Sequence, residues 1–234
     1  MSFDRLAPHY RALEFVLAGR SLQDCRLRHL EAVAECQNAL LLGEGPGRFL
    51  LPFLQRNRGA KITCVESSAC MISEAKRHAA RLGSEAGRVR FEQADARLWK
   101  PTGTGYDLVV TCFFLDCFPY DSLRELITRT TQSTSPSAVW LVADFRLAET
   151  GWRRHRAKAI LWLMYRCFRI VTKLPAGQLT NPDGLLKRAG FSLEARYVSN
   201  FGLLHSDLWR RAIHHPPGEH SPGSSGVRPP PPTN

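Results

Sequence analysis

The sequence predicts an α/β fold: a doubly wound, mostly parallel sheet preceded by a helical segment. Three observations predict it. Short apolar runs at Ala39 to Leu42, Lys61 to Val65, Tyr106 to Leu115 and Ala138 to Phe145 read as buried strands, segments of helical spacing lie between them, and the first run breaks into Gly43-Glu44-Gly45-Pro46-Gly47. Nearly continuous apolar strands joined by helices belong to parallel sheets covered on both faces.

The first 35 residues read as helical, with Leu6, Tyr10, Leu13, Phe15, Val16 and Leu17 on an apolar side, Gly19 as a break and Ser21 opening a second helix. After the first strand, Gly43, Gly45 and Gly47 lack Cβ atoms, so they can take positive φ and bring backbone N–H groups close to a ligand. The helix that starts behind them adds a positive pole. A nucleotide-like cofactor suits such a loop, although a tight strand-to-helix turn would also explain the glycines. A dinucleotide frame, G-x-G-x-x-G, would need glycine where Arg48 stands; the glycines fit G-x-G-x-G instead.

Lys61 to Glu66 is the second strand and ends in a carboxylate. Ser67-Ser68 caps the next helix, Met71, Ala75, Ala79 and Leu82 give it an apolar face, and Gly83 stops it. An acid roughly 20 residues beyond a glycine loop lies in the ligand crevice of a doubly wound sheet and can accept both ribose hydroxyls; otherwise Glu66 caps its helix. Val89 to Ala96 alternates as a third strand and carries Asp95. The fourth strand runs through Phe113 to Leu115, with Asp107 at its start, far from chemistry, and Asp116 at its exit. The fifth also closes on an acid, Asp144. Asn181-Pro182 opens a short helix that Gly190-Phe191 ends before a strand at 192–198, and Phe201 to Trp209 is a last hydrophobic segment.

From the glycine loop to this last segment the chain resembles class I S-adenosylmethionine (SAM) dependent methyltransferases. The helix-Ala-Gly-Phe junction at Ala189-Gly190-Phe191 strengthens the likeness. The resemblance implies a Rossmann-like methyltransferase fold of seven strands, the last antiparallel, with S-adenosyl-L-methionine as cofactor and a small molecule as methyl acceptor. It places cofactor contacts at Tyr10, Gly43, Glu44, Gly45, Gly47, Glu66, Ser67, Met71, Asp95, Ala96 and Phe113, with Asp95 toward the adenine amino group. Phe3 to Tyr10 resembles the opening of quinone-biosynthesis C-methyltransferases and related small-molecule enzymes, where the segment folds over the cofactor as a lid. Tyr10 then lies on the cofactor, or else packs in a helix pair. Asp116 and His9 are general-base candidates by location if the acceptor must lose a proton, though Asp116 could equally cap a helix.

One departure matters. The family's acid two residues before the first glycine is here Leu41, and the nearest acid is Glu44, which either recovers that role or is a solvent-facing loop residue. A methyltransferase-like SAM-binding protein without turnover is therefore the alternative, and a NAD-dependent oxidoreductase a more distant one.

The domain boundaries expected are a lid at 1–35, a SAM-binding domain at 36–213 with a variable substrate cover at 151–180, and a Pro/Gly/Ser-rich disordered tail at 214–234. Seven cysteines without C-x-x-C spacing argue against a disulfide framework or a zinc site and for a reducing compartment. With no leader-like opening and no apolar run near about 20 residues, the protein is expected in the cytoplasm. The net charge of +11 comes without a recognisable nucleic-acid module, which speaks against nucleic acid as partner. Trp152 to Lys173 mixes cations and aromatics without an acid. Such a helix receives an anionic or amphiphilic acceptor, contacts an anionic membrane peripherally, or simply presents a solvated charged face. Oligomeric state is not readable from these patterns.

Overall fold

Leu40, Leu41 and Leu42 lose nearly all contact with water because strands flank them on both edges and side chains cover both faces of the sheet. The structure, a computed structural model, describes residues 20–147, 150–172 and 179–212, with 163–172 as backbone alone. Strand β1 (Asn38–Leu42) is central in a seven-stranded sheet, parallel to β2 (Lys61–Glu66) on one side and β4 (Tyr106–Cys112) on the other. With β3 (Val89–Gln93), β5 (Thr134–Phe145), β6 (Phe191–Ser199) and β7 (Leu204–Arg211), the order is β3-β2-β1-β4-β5-β7-β6, and β7 runs antiparallel to both neighbours. The order reverses between β1 and β4, where an open α/β sheet leaves a crevice at its carboxyl edge.

Helices α1 (Arg20–Leu27), α2 (Leu50–Arg56), α3 (Ala69–Ala80) and α5 (Gly151–Thr172) pack on one face, α4 (Tyr120–Gln132) and α6 (Asp183–Arg188) on the other. The α3 start shows how local sequence sets these elements. Ser68 stays extended and its Oγ accepts the Met71 N–H at 3.2 Å, while Met71, Ile72, Ala75 and Ala79 recur at helical spacing and are buried. At the far edge of the sheet, Asp107 accepts the N–H groups of Gln37 at 2.8 Å and Asn38 at 2.9 Å, so it fastens the entry to β1.

Strand β5 begins at Thr134, ahead of the expected Ala138, and three boundaries at the carboxyl edge of the sheet also differ from the sequence reading. Strand β4 ends at Cys112 instead of Leu115, because Phe113 turns the chain with φ +53° into a 3-10 turn at Leu115–Cys117. Strand β3 ends at Gln93, before Asp95. Strand β7 begins at Leu204; Phe201 instead belongs to a tight turn, Asn200–Gly202, whose three residues all have positive φ. The helical segment before Gly19, with His9 and Tyr10, and the tail from 214 lie outside the described residues. Among the described residues no helix is long and apolar enough to cross a membrane.

Candidate active site

Each glycine of the loop after β1 has its own reason to be glycine. Gly43 donates its N–H to Val65 O at 2.9 Å, closing the β1–β2 ladder, and has φ +67°. A Cβ there would lie 2.0 Å from the Phe114 ring, so the ring rests on bare backbone. Gly47 sits at φ +91°, where a Cβ would come 3.4 Å from the Ala75 Cβ, bringing the approach to α2 close against α3. Gly45, at φ +65°, has, among the described residues, only Met71 Sδ within 4 Å of its would-be Cβ and is the most open of the three.

The acids at the strand ends organise this loop. Glu66 is buried at the end of β2; its Oε2 accepts the Gly45 N–H at 3.1 Å, and its Oε1 accepts the Ser68 N–H at 2.9 Å and the Ser67 hydroxyl at 3.2 Å. It thus joins the loop after β1 to the start of α3, and capping turns out to be part of its work. Glu44 is buried too, which removes the solvent-facing reading. Its Oε1 accepts the N–H groups of Phe49 at 2.7 Å and Leu50 at 2.8 Å, two of the unpaired donors at the start of α2. Leu41, where the resemblance would put an acid, is a fully buried core residue.

Asp95 follows β3. Arg97 grips its carboxylate through Nε at 3.0 and 3.1 Å and also donates its backbone N–H at 3.0 Å. That guanidinium holds the Asp95 carboxyl below the usual carboxylate range. Any contact of Asp95 with a base edge must share the carboxylate with Arg97 or turn Arg97 aside. Ala96 is buried in the core on the α4 side. At the exit of β4, the Phe113 ring packs on Phe145 with centroids 5.0 Å apart, and the buried Arg26 guanidinium of α1 lies 4.8 Å from its centre. Asp116, in the turn after β4, is buried and donates its N–H to Asp144 Oδ2 at 3.2 Å.

The methyltransferase domain family matches this chain over residues 39–137, from β1 through the loop, Glu66, Asp95 and Asp116 to the start of β5. Residues 39–137 are similar to a methyltransferase domain. Solved structures with its fold include the mitomycin 7-O-methyltransferase MmcR, with TM-score 0.64 and 20% identity over 91% of this chain and 61% of that one. The N,N-8-amino-8-demethyl-D-riboflavin dimethyltransferase RosA from Streptomyces davawensis gives 0.59 and 21% over 83% of this chain and 55% of that one. Magnesium protoporphyrin IX methyltransferase (ChlM) from Synechocystis PCC 6803, solved with bound SAH, gives 0.56 and 17% over 89% and 86%. The chain thus spans 61% of the length of MmcR. No curated protein matches it in sequence.

Within the matched segment, Gly43, Gly45, Gly47, Glu66, Ser67 and Met71 come together around the loop, and Phe113 and Asp116 border the crevice from β4. Asp95 and Ala96 stand at the exit of the outer strand β3. The open flank of Gly45 beside the Glu66 carboxylate is a cradle that a Cβ would begin to fill, and it fits a ribose-bearing cofactor such as SAM. Arg26 and His205 escaped the sequence reading. An arginine inside a short polar helix carries no sign of burial, and His205 matters only through its strand partners.

Burial pushes the Glu44 carboxyl up to about 7 from an ordinary 4.5; the two backbone N–H groups and Arg26 pull it back, while Glu66 adds to the rise. Between these values the folded chain holds a proton that the unfolded chain releases, so this contribution to stability declines as pH rises. At about 1.4 kcal/mol per pH unit, wild type should lose about 3 kcal/mol relative to Glu44→Gln across that window. Urea unfolding at pH 4.5 and 7.5 measures it. Parallel behaviour of the two proteins would mean that Glu44 ionises like a surface carboxylate.

Proposed function

We propose that this chain is a SAM-dependent methyltransferase that acts on a small molecule. The observation that carries the reading is the union of an open glycine loop with the Glu66 carboxylate at the reversal point of a sheet whose first four strands match a methyltransferase domain. Glu66 and Ser67 would hold the ribose, Gly45 and Met71 would line the cradle, Asp95 and Ala96 would border the base, and Phe113 and Glu44 would shape the methionine end. Tyr10 would lie against the cofactor and His9 would be the second general-base candidate, both outside the described residues. SAM supplies a methyl group on a positively charged sulfur. The protein's own contribution is alignment and exclusion of water, which is worth roughly 7–11 kcal/mol of barrier when reacting groups are well oriented. Asp116 would receive the proton if the acceptor must lose one. Free thiols at the described cysteines suit a reducing, cytoplasmic setting.

Calorimetry with SAM, S-adenosylhomocysteine (SAH) and NADH tests the reading. The first two should bind and NADH should not; NADH binding without SAM binding would replace the methyltransferase by a dehydrogenase.

The acceptor is anionic in this reading. Arg153, Arg154 and Lys158 are exposed on the first half of α5, while Ala157 and Leu161 anchor that helix to the core. Arg156 has a different role. Its guanidinium donates to Asn200 Oδ1 at 2.9 Å and lies 5.2 Å from the Phe201 ring centre, so it secures the β6–β7 turn. Arg153→Gln with Arg154→Gln, leaving Arg156 intact, should therefore raise the acceptor KM several-fold with SAM affinity unchanged. Flotation with neutral and anionic vesicles at two salt concentrations runs alongside, and a loss confined to anionic vesicles would move the role of these cations from acceptor to lipid surface.

A further inference from the structure

Behind Asp116 lies a row of ionisable groups that the proposed function leaves unused. Asp144, at the carboxyl end of β5, accepts the N–H groups of Phe145 at 2.8 Å and Asp116 at 3.2 Å, and its carboxyl also hydrogen-bonds that of Asp116. Two carboxyls bonded to each other need a proton between them. Burial first, and the Asp116 charge second, push the Asp144 carboxyl well above the usual range.

Asp144 is paired directly with His205 across the antiparallel β5–β7 ladder. Partners in such a ladder share a face, as Trp140 and Trp209 do two turns of the pleat away on the α4 side. Directly opposed residues have Cβ atoms about 4.5–5.5 Å apart, so the Asp144 and His205 side chains leave the sheet as neighbours on one face. His205 is itself buried, and its Nδ1 is 2.8 Å from Asp207 Oδ2. Arg196 of β6 donates to both Asp207 oxygens, at 2.9 and 2.6 Å, and reaches Asp183 at the start of α6. Those partners keep Asp207 ionised despite its burial. A fixed carboxylate accepts from Nδ1–H, which leaves the Nε2 lone pair on the other side of the ring as the free base.

We propose that Asp116, Asp144 and His205 act as one proton-accepting unit, so that the methyl acceptor is a hydroxyl or a primary or secondary amine that gives up a proton on methylation. The inference rests on the methyltransferase reading. As the acceptor heteroatom bonds to carbon, the departing sulfur keeps its electron pair and the X–H proton passes to the carboxyl pair. His205 Nε2 then takes one proton from the pair, and Asp207 balances the imidazolium that forms. Asp116 touches the acceptor; Asp144 and His205 are positioning residues that act through it. Other ionisable groups around the row include Cys117, whose thiol donates to Asp116, Cys112, which feels the Asp144 charge, and Cys25 of α1, which feels the Asp144 and Asp207 charges together with the opposing charge of Arg26.

The test uses the full chain labelled with 13C-aspartate and 15N-histidine. In wild type, NMR should place the neutral His205 proton on Nδ1, and Asp207→Asn should move it. His205→Gln should shift the Asp144 carboxyl titration by at least about half a pH unit, since the groups are coupled. With tritiated SAM and the low-molecular-weight fraction of a bacterial extract as acceptor source, His205→Gln should slow methyl transfer about 100-fold at neutral pH. Asp144→Asn, which keeps an oxygen acceptor for both N–H groups, should do the same, and both should bind SAH within twofold of wild type. An unchanged Asp144 titration, a His205 proton on Nε2, or unchanged transfer by either variant overturns the proposal. Failure of wild type to bind SAH would instead overturn the methyltransferase reading, while the NMR outcome still decides whether the three groups share protons.

Discussion

Glu66→Ala should weaken SAH binding about 30-fold or more, equivalent to roughly 2 kcal/mol, and lower thermal stability only slightly. Glu66 spends its carboxylate on the Gly45 N–H, the Ser67 hydroxyl and the Ser68 N–H, all on the ligand side of the sheet. Alanine would therefore remove the proposed acceptor for the ribose and also loosen the loop that Glu66 holds. The expected loss exceeds that of a single neutral hydrogen bond, because charge-assisted bonds are about twice as strong. Glu66→Gln separates the contributions: it keeps one carbonyl oxygen for the loop and gives up the charge, so it should fall between wild type and alanine. Calorimetry with SAH alongside thermal unfolding measures both effects. An alanine variant that binds SAH as wild type does would leave Glu66 as a helix cap alone.

Gly43→Ala should destabilise the chain by about 3 kcal/mol, from an overpacking cost of roughly 1–3 kcal/mol added to the cost of a side chain in the left-handed region. The methyl group would enter the Phe114 ring, 2.0 Å from its nearest carbon, at φ +67°. For a chain of this length the shift in melting temperature should be on the order of 10 °C. Gly43→Ala combined with Phe114→Ala removes the clash and leaves the backbone strain, so it should recover part of the loss relative to Phe114→Ala alone. A single Gly43→Ala variant within about 0.5 kcal/mol of wild type would show that the ring moves aside freely.

The two variants illustrate how unevenly the site could be read. Glu66 was legible because a strand ending in an acid after a glycine loop places that acid by local geometry alone. Gly43 was legible as a glycine, but two reasons for it were not: its N–H closes the strand ladder and its bare backbone receives Phe114. Glu44 looked like a loop charge with two open roles, and only the direction taken by the chain after Pro46 brings it under the first N–H groups of α2. Arg97 stands two residues from Asp95, yet nothing in the spacing shows that it occupies that carboxylate.

What the sequence by itself determined is the set of elements and their carboxyl ends. Apolar runs, glycine stops and caps act over a few residues, so β1, β2, α3 and the acids Glu66, Asp116 and Asp144 follow from local pattern. Tertiary structure alone decided which of those groups meet. Asp116 and Asp144 are 28 positions apart and share a hydrogen bond because β4 and β5 lie side by side. His205 joins them because β7 inserts antiparallel between β5 and β6, which turns two distant strand ends into neighbours on one face. A one-residue slip of that ladder would send His205 and Asp207 to the opposite face, so the proton-sharing row depends on register, which the backbone ladder and buried Trp140 and Trp209 settle together.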